Sequence, residues 1–263
     1  MQLIEVPAKQ GYVWLRQGAW LFRKNPIGFL LLSIIPAFVI MFTLAFLPPA
    51  LLLLQVLAPA VLVGFMSACR DAVAGKPIGP SALLAGFRAY GKDAARGLWR
   101  LGLIHMALFL VITFLLSTQV DPDVASAVLE GKATPDAIRQ LYLITIAGLV
   151  LYTPVAALFW FSPLLVAWHG IPVRKALFFS WIAVWRNRMA FLLYVLLFAV
   201  LSTAVPSFVE GALAAIGAGE IAPVLLIPYQ MVVVAILYCS MYATYRGCFN
   251  VSQAAGQTTN TTA

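Results

Sequence analysis

The chain has 263 residues, of which 63% are hydrophobic and only 10% are charged, and its net charge is +8. Soluble domains carry about a quarter charged residues and expose much of their surface to water, so this composition excludes a soluble globular protein. Lipid must solvate a large part of the chain. The basic residues lie at the edges of apolar segments rather than in a polar domain, which argues against nucleic acid as a partner.

Long uncharged segments predict six membrane-spanning helices. Between Lys24 and Arg70 the chain runs for 45 residues without a formal charge. One helix crosses the hydrocarbon in about 20 residues, so this segment is long enough for two spans. Pro48 and Pro49 predict the reversal between them. The predicted spans are about 28–47, 50–69, 101–118, 141–167, 189–209 and 221–245.

The apolar segments are continuous rather than alternating, which excludes membrane-spanning strands. The sequence therefore predicts an all-α, polytopic transmembrane bundle that forms one domain over residues 1–245. Residues 246–263 are predicted to be a disordered polar tail on the cytoplasmic side. Pro154 and Pro163 lie in the fourth span, which we therefore expect to kink or tilt.

The distribution of charge predicts the orientation. We assign the amino terminus, residues 70–100, residues 168–188 and the carboxyl tail to one side of the membrane. That side holds 15 of the 17 Lys and Arg residues, whereas six of the nine acids lie on the other side. Basic loops stay in the cytoplasm. Both termini are therefore predicted to be cytoplasmic in a multi-pass protein of the bacterial inner membrane.

One short pattern precedes two predicted spans. Residues 23–32, RKNPIGFLLL, and residues 185–194, WRNRMAFLLY, both place a basic residue before Asn, then Phe and an apolar run. A fainter copy occupies 79–97. The pattern predicts three helical hairpins, each preceded by a cytoplasmic interfacial helix, with Asn25 and Asn187 as helix N-caps. Independent convergence is the alternative, because basic residues precede many cytoplasmic span starts.

The interfacial segments supply the candidate binding residues. In 79–97 the basic residues recur at every fourth position, which predicts one stripe on one amphipathic helix. Trp14 and Trp20 are predicted to anchor the first segment in the interface. We expect the basic side chains to bind anionic lipid headgroups, although setting topology alone is the alternative. The residues are Arg88, Lys92, Arg96, Arg174, Lys175, Arg186 and Arg188.

Few polar side chains lie at membrane depth. His105, Gln55 and Gln230 are the intramembrane polar residues, and each is a candidate either for a ligand contact or for a hydrogen bond between helices. No nucleophile–base pair or metal-ligand spacing is visible, so no catalytic residue, metal or cofactor is predicted. Cys69, Cys239 and Cys248 lie near predicted cytoplasmic ends, where thiols stay reduced.

Four segments carry a resemblance to a known group of proteins. They are GYVWLRQGAWLFRKNP at 11–26, AP with GFMSACR in 58–70, FSPLLVAWHG at 161–170 and ALFFSWIAVWRNRMAF at 176–191. The chain resembles a family of uncharacterised proteobacterial inner-membrane proteins with about six spans. More distantly, it is similar to the membrane region that accompanies some glycerophosphodiester phosphodiesterases. The resemblance implies no catalytic residues.

These observations predict a non-enzymatic inner-membrane protein. Its expected partners are anionic membrane lipids and other membrane proteins. The alternative is a transporter or permease for a lipid or a small amphiphile, for which the prolines within the spans would provide broken helices.

Overall fold

The computed structural model describes residues 2–130, 132 and 134–250. Short 3₁₀ turns lie at Pro48–Ala50, Pro80–Leu84 and Gly219–Ile221, and a π-helical turn lies at Val200–Ala204. Two strands, β1 (Gln2–Leu3) and β2 (Phe249–Asn250), form an antiparallel pair. The α-helices in these ranges are α1 Gln10–Lys24, α2 Pro26–Phe46, α3 Leu51–Val73, α4 Ala85–Arg88, α5 Gly91–Ser117, α6 Pro122–Leu129, α7 Pro135–Phe159, α8 Ser162–His169, α9 Val173–Arg186, α10 Arg188–Ala199, α11 Val205–Ala215 and α12 Ala222–Cys248.

The predicted all-α polytopic bundle is confirmed. Within the described ranges, six helical segments are long and apolar enough to cross a bilayer. Each continues beyond the bounds predicted for it on at least one side, because the helices extend past the hydrocarbon into polar connections. The segments are Pro26–Phe46, Pro48–Val73, Gly91–Ser117, Pro135–His169, Arg188–Ala215 and Gly219–Cys248.

The segments rich in Lys and Arg meet at one end of the bundle, which we call the basic end. It comprises residues 2–25, 70–100, 168–188 and 245–250. At this end β1 pairs with β2, and the Arg186 Nε atom lies 2.9 Å from Glu5 Oε1. The Arg70 guanidinium lies 5.3 Å from the centre of the Trp168 ring. These contacts join the beginning, the middle and the end of the chain.

Helix α1 is part of the core rather than a helix lying on the surface. Trp14 is fully buried, and its ring centre lies 5.1 Å from that of Phe191. Gly18 lets the backbone of α1 approach α12, since an added Cβ would lie 2.7 Å from the Ser240 backbone nitrogen. Trp20, by contrast, is 55% exposed. The prediction of an interfacial anchor was therefore wrong for Trp14, because close packing outweighs the interfacial preference of its ring.

The middle interfacial helix was predicted wrongly. Residues 79–97 form a 3₁₀ turn, the short helix α4 and then the start of α5. The break falls at Gly91, whose φ of +82° is readily adopted only by glycine. Arg88 therefore ends one helix while Lys92 and Arg96 begin another, so the three do not form one helical stripe.

The predicted start of the tail also needs correction. Residues 246–248 complete α12, and Phe249–Asn250 pair with β1. The backbone hydrogen bonds to β1 stabilise an extended conformation that composition alone does not reveal. The rest of the predicted tail, residues 251–263, lies outside the described residues.

Helix breaks within the fourth and fifth spans are held by side chains from neighbouring segments. In the fourth span the break at Trp160–Phe161 separates α7 from α8, and the Ser180 hydroxyl from α9 contacts it. In the fifth span Pro206 follows the π-helical turn and has no N–H to offer. The Tyr229 hydroxyl of α12 donates to the Leu201 carbonyl at 2.7 Å, and thus satisfies an acceptor that the proline leaves without its π-helical partner.

Candidate functional site

A cavity of about 720 Å³ lies at the basic end between α5 and the α8–α9 connection. We call it the α5–α9 groove. Gly97 and Val166 line it where the two elements are in close contact, since a Cβ added to Gly97 would lie 2.6 Å from Val166 Cγ1. Gly170, in the left-handed region at φ 61°, ends α8 and turns the chain toward α9. The lining residues are Asp93, Ala94, Arg96, Gly97, Arg100, Leu103, Ile104, Val166, Gly170, Ile171, Pro172, Val173 and Arg174.

Three arginines and one acid set the charge of the groove. Arg96 lies 2.6 Å from Asp93, one helical turn earlier, in an exposed ion pair. Arg100 and Arg174 are exposed and form no ion pair with any described residue. An exposed ion pair stabilises a structure by about 0.2–1 kcal/mol and exchanges readily with other charges. The groove therefore presents an excess of positive charge to a ligand.

The deeper wall of the groove is apolar. Leu103 is 51% exposed and Ile104 is 37% exposed, and both follow Arg100 by about one turn of α5. Leu103 and Ile104 lie further along the third span, Gly91–Ser117, than Arg96, and Arg174 lies at the start of α9. The groove thus joins a cationic rim to an apolar surface. An anionic phospholipid is complementary to it, because its headgroup is negatively charged and its acyl chains are apolar.

The structure separates the other predicted binding residues. Arg88, Lys92 and Lys175 are exposed and lie outside the groove. Arg186 pairs with Glu5, which partly neutralises it. Arg188 lies beside a different cavity, where its guanidinium is 5.7 Å from the Trp185 ring centre. Only Arg96 and Arg174 from the predicted set line the α5–α9 groove.

Asn187 has a structural role that differs from the predicted one. It is 1% exposed, and its Oδ1 accepts a hydrogen bond from the Val6 amide at 2.8 Å. Its Nδ2 donates to the carbonyls of Ile4 and Ala183. It does not cap α10 through its side chain. Asn25 does cap α2, because its Oδ1 accepts from the Gly28 amide at 3.0 Å, so the capping prediction is correct for the first copy and wrong for the second.

His105 connects α5 to α7 inside the bundle. It is 9% exposed, and its Nε2 lies 2.9 Å from the Tyr152 hydroxyl of α7. Its buried Nδ1 has no hydrogen-bond partner among the described residues. The contact with Tyr152 supports the hydrogen-bonding interpretation of this residue.

The two predicted intramembrane amides differ in surroundings. Gln55 is half-buried near the start of α3. Gln230 lines an apolar cavity of about 400 Å³ between α2 and α12, and its buried Oε1 has no hydrogen-bond partner among the described residues. No cluster of three or more potential metal ligands occurs among the residues that the structure describes. All three cysteines are buried, and none forms a disulfide.

A curated relative agrees with the membrane architecture. A probable inner membrane protein of Burkholderia thailandensis is 41% identical to the chain over 261 residues, an alignment that covers 96% of each chain. The chain belongs to this family of inner membrane proteins. No protein-family model matches it, and no solved structure matches it.

The relative confirms part of the resemblance noted from sequence. The curated relative is an inner membrane protein, as predicted. Among the described residues, six helices are long and apolar enough to cross a bilayer, which agrees with the expected number of spans. The distant similarity to the membrane region of glycerophosphodiester phosphodiesterases has no support from the comparisons.

Sequence reasoning did not select three residues of this inner membrane protein that the structure makes prominent. Arg100 was not among the predicted binding residues, although its spacing of four from Arg96 puts both on one face of α5. Glu5 gave no signal, because its partner Arg186 is 181 positions away. Ser180 gave none either, since a lone serine on an interfacial helix is common.

Proposed function

We propose that this inner membrane protein is a non-enzymatic lipid-binding protein that holds an anionic phospholipid headgroup in the α5–α9 groove. The observation that carries the proposal is the convergence of Arg96, Arg100 and Arg174 above the apolar wall of Leu103 and Ile104. A phosphate on the rim would meet three guanidinium groups, which recognise phosphate through paired hydrogen bonds. An acyl chain of the same molecule would contact the apolar wall.

The charge distribution supports the same proposal. A Lys or Arg near an anionic leaflet contributes about 1 kcal/mol of binding. Exposed charges separated by more than about 10 Å are screened at physiological salt, so charges spread around a collar add poorly. Arginines that line one groove act on one ligand at short range. With the basic end in the cytoplasm, as the charge asymmetry predicts, the groove opens to the leaflet that carries anionic lipid.

The test compares two doubly substituted proteins that lose the same charge. Arg100→Gln/Arg174→Gln removes two groove arginines, whereas Arg88→Gln/Lys175→Gln removes two exposed basic residues outside the groove. Each protein is extracted gently from membranes that contain phosphatidylglycerol and phosphatidylcholine. Native mass spectrometry then counts the lipids of each class that stay bound.

We expect the wild type and the Arg88→Gln/Lys175→Gln protein to retain phosphatidylglycerol in preference to phosphatidylcholine. The Arg100→Gln/Arg174→Gln protein should retain fewer phosphatidylglycerol molecules than either of them. Equal loss of phosphatidylglycerol in both variants would indicate that basic residues all around this end, rather than the groove, bind the lipid. If neither variant changed lipid retention, the arginines would serve topology alone and the proposal would fail.

Transport of a lipid or a small amphiphile stays a prediction. The interruptions at Trp160–Phe161 and at the π-helical turn favour it, because transporters often place binding sites at broken helices. Saturable uptake into vesicles that contain the purified protein, compared with vesicles that lack it, is the measurement that decides it.

A further inference from the structure

The structure assigns a second lipid site to a separate cavity, which we call the α7–α10 groove. This cavity of about 640 Å³ lies between α7, the end of α9 and the start of α10. We propose that it holds one acyl chain of an anionic phospholipid whose phosphate binds Arg188. The lining residues are Val150, Thr153, Pro154, Ala156, Ala157, Trp160, Trp181, Val184, Trp185, Arg188, Phe191, Leu192 and Val195.

The interior of the groove is suited to hydrocarbon. Thr153 is the lining residue that carries a hydroxyl, and this hydroxyl already donates to the Leu149 carbonyl at 2.8 Å. The indole nitrogen of Trp160 likewise donates to Thr244 at 3.0 Å. These groups therefore do not require a polar ligand. Small residues on α7, Ala156 and Ala157, leave the space open.

The mouth of the groove has the chemistry of the membrane interface. The rings of Trp181 and Trp185 stack, with centres 5.7 Å apart and an angle of 13° between their planes. The Arg188 guanidinium lies 5.7 Å from the Trp185 ring centre. Among the described residues Arg188 forms no ion pair with a carboxylate, whereas its neighbour Arg186 binds Glu5. Trp side chains favour the headgroup level, and a guanidinium there attracts phosphate.

The depth of the groove decides between possible occupants. Val195 lies seven residues beyond Arg188 on α10, which corresponds to about 10 Å along the helix axis. A water-soluble anion would bind Arg188 without filling this apolar length, and a hydrocarbon would fill it without using the charge. An anionic phospholipid satisfies both parts and is present at this position in the bilayer. This site shares no lining residue with the α5–α9 groove, so it stands independently of the proposed function.

The experiment uses tryptophan fluorescence of the full chain. Trp160, Trp181 and Trp185 line the groove, and bromine atoms on an acyl chain quench indole at short range. The purified protein in detergent is titrated with phosphatidylglycerol brominated at mid-chain, and separately with phosphatidylcholine brominated in the same way. We expect a saturable quenching component whose affinity for phosphatidylglycerol is at least about tenfold higher, as expected for a charge-assisted phosphate contact.

Two substitutions probe the two halves of the site. Arg188→Gln should lower the affinity for phosphatidylglycerol by about tenfold and leave the affinity for phosphatidylcholine unchanged. Val195→Phe fills the apolar part and should abolish the saturable component for both lipids. Leu196→Phe is the matched control, because Leu196 is 54% exposed on the same helix but does not line the groove. It should titrate as the wild type does.

The outcomes separate this site from the first one. Arg100→Gln/Arg174→Gln should keep the saturable component, and its loss there would place the quenching lipid in the α5–α9 groove and overturn this inference. Quenching that rises linearly and equally with both lipids would also overturn it. So would identical titrations of Val195→Phe and Leu196→Phe. Weaker phosphatidylglycerol binding in Arg188→Gln, loss of the saturable component in Val195→Phe and an unchanged component in the other two variants support it.

Discussion

The hydroxyl of Ser180 occupies the place of a missing helical hydrogen bond at Phe161. In a continuous helix the Phe161 amide would donate to the Ala157 carbonyl four residues earlier. Here the amide donates to Ser180 Oγ at 3.0 Å, and Ser180 Oγ donates to the Ala157 carbonyl at 2.7 Å. The hydroxyl is thus inserted between two partners of the helical ladder, which is a recognised cause of helix kinks. It also joins α9 to the fourth span.

Replacing Ser180 by alanine should destabilise the bundle. Ser180 is fully buried, so Ser180→Ala leaves the buried Phe161 amide and the part-buried Ala157 carbonyl without their partner, at a cost of about 1–3 kcal/mol. The free energy of unfolding is measured by SDS titration in mixed micelles, followed by circular dichroism. Ser202→Ala is the control, since the Ser202 hydroxyl donates only to Phe198 in its own helical segment. Equal changes in the two variants would contradict the inserted-hydroxyl interpretation.

Replacing Asn187 should release the amino-terminal segment. Asn187→Ala removes the acceptor for the Val6 amide and the donor to the Ile4 carbonyl. We expect amide hydrogen exchange in residues 2–8 to increase about tenfold or more, since the two part-buried hydrogen bonds that are lost stabilise by about 1.5 kcal/mol or more together. Hydrogen exchange with mass spectrometry measures it. Asn25→Ala removes a helix cap instead and should leave this segment protected. Exchange that stays slow in Asn187→Ala would contradict the proposed role of Asn187 in holding the amino-terminal segment.

The contact between α1 and α12 should be intolerant of one methyl group. Gly18→Ala places a Cβ 2.7 Å from Ser240 backbone atoms, so the helices must separate, at a cost of about 1–3 kcal/mol. Gly211→Ala on α11 meets nothing within 4 Å and should stabilise by about 0.5–1 kcal/mol, because alanine is the better helix former. The same SDS titration reports both. A stabilised Gly18→Ala protein would show that α1 does not pack against α12 in this way.

The basic end should lie in the cytoplasm. Green fluorescent protein fused after Gly75 or after Ile171 should fluoresce, and alkaline phosphatase fused at the same points should be inactive, because basic loops are retained on the cytoplasmic side. Fusions after Gly217, in a turn at the opposite end, should behave in the reverse way. Active phosphatase after Gly75 would invert the orientation and remove the groove from the anionic leaflet.

The spans could be predicted from sequence because hydrocarbon demands long uncharged helices, and that demand is visible within about 20 residues of chain. The break at Gly91 was missed for a local reason. Its position within an amphipathic pattern favoured one helix, and only the positive φ reveals that the pattern is divided between two.

The candidate site was less predictable, because its contacts are long-range. Arg96 and Arg174 were selected as basic residues at an interface, but their sharing of one groove depends on how α5 packs against the α8–α9 connection. The pairing of Arg186 with Glu5 and the hydrogen bond between Asn187 and the Val6 amide both require the amino-terminal segment to lie beside the end of α9. Composition and periodicity carry no information about such pairings.

The burial of Trp14 has a consequence for biosynthesis. Its ring lies against Phe191 and against the backbone at Gly247, so its pocket is built from α10 and from the last turn of α12. The ribosome makes α1 first and Gly247 more than two hundred residues later. Helix α1 therefore cannot complete its packing until the sixth span has been inserted. In a chain that ends before that span, the pocket of Trp14 is incomplete.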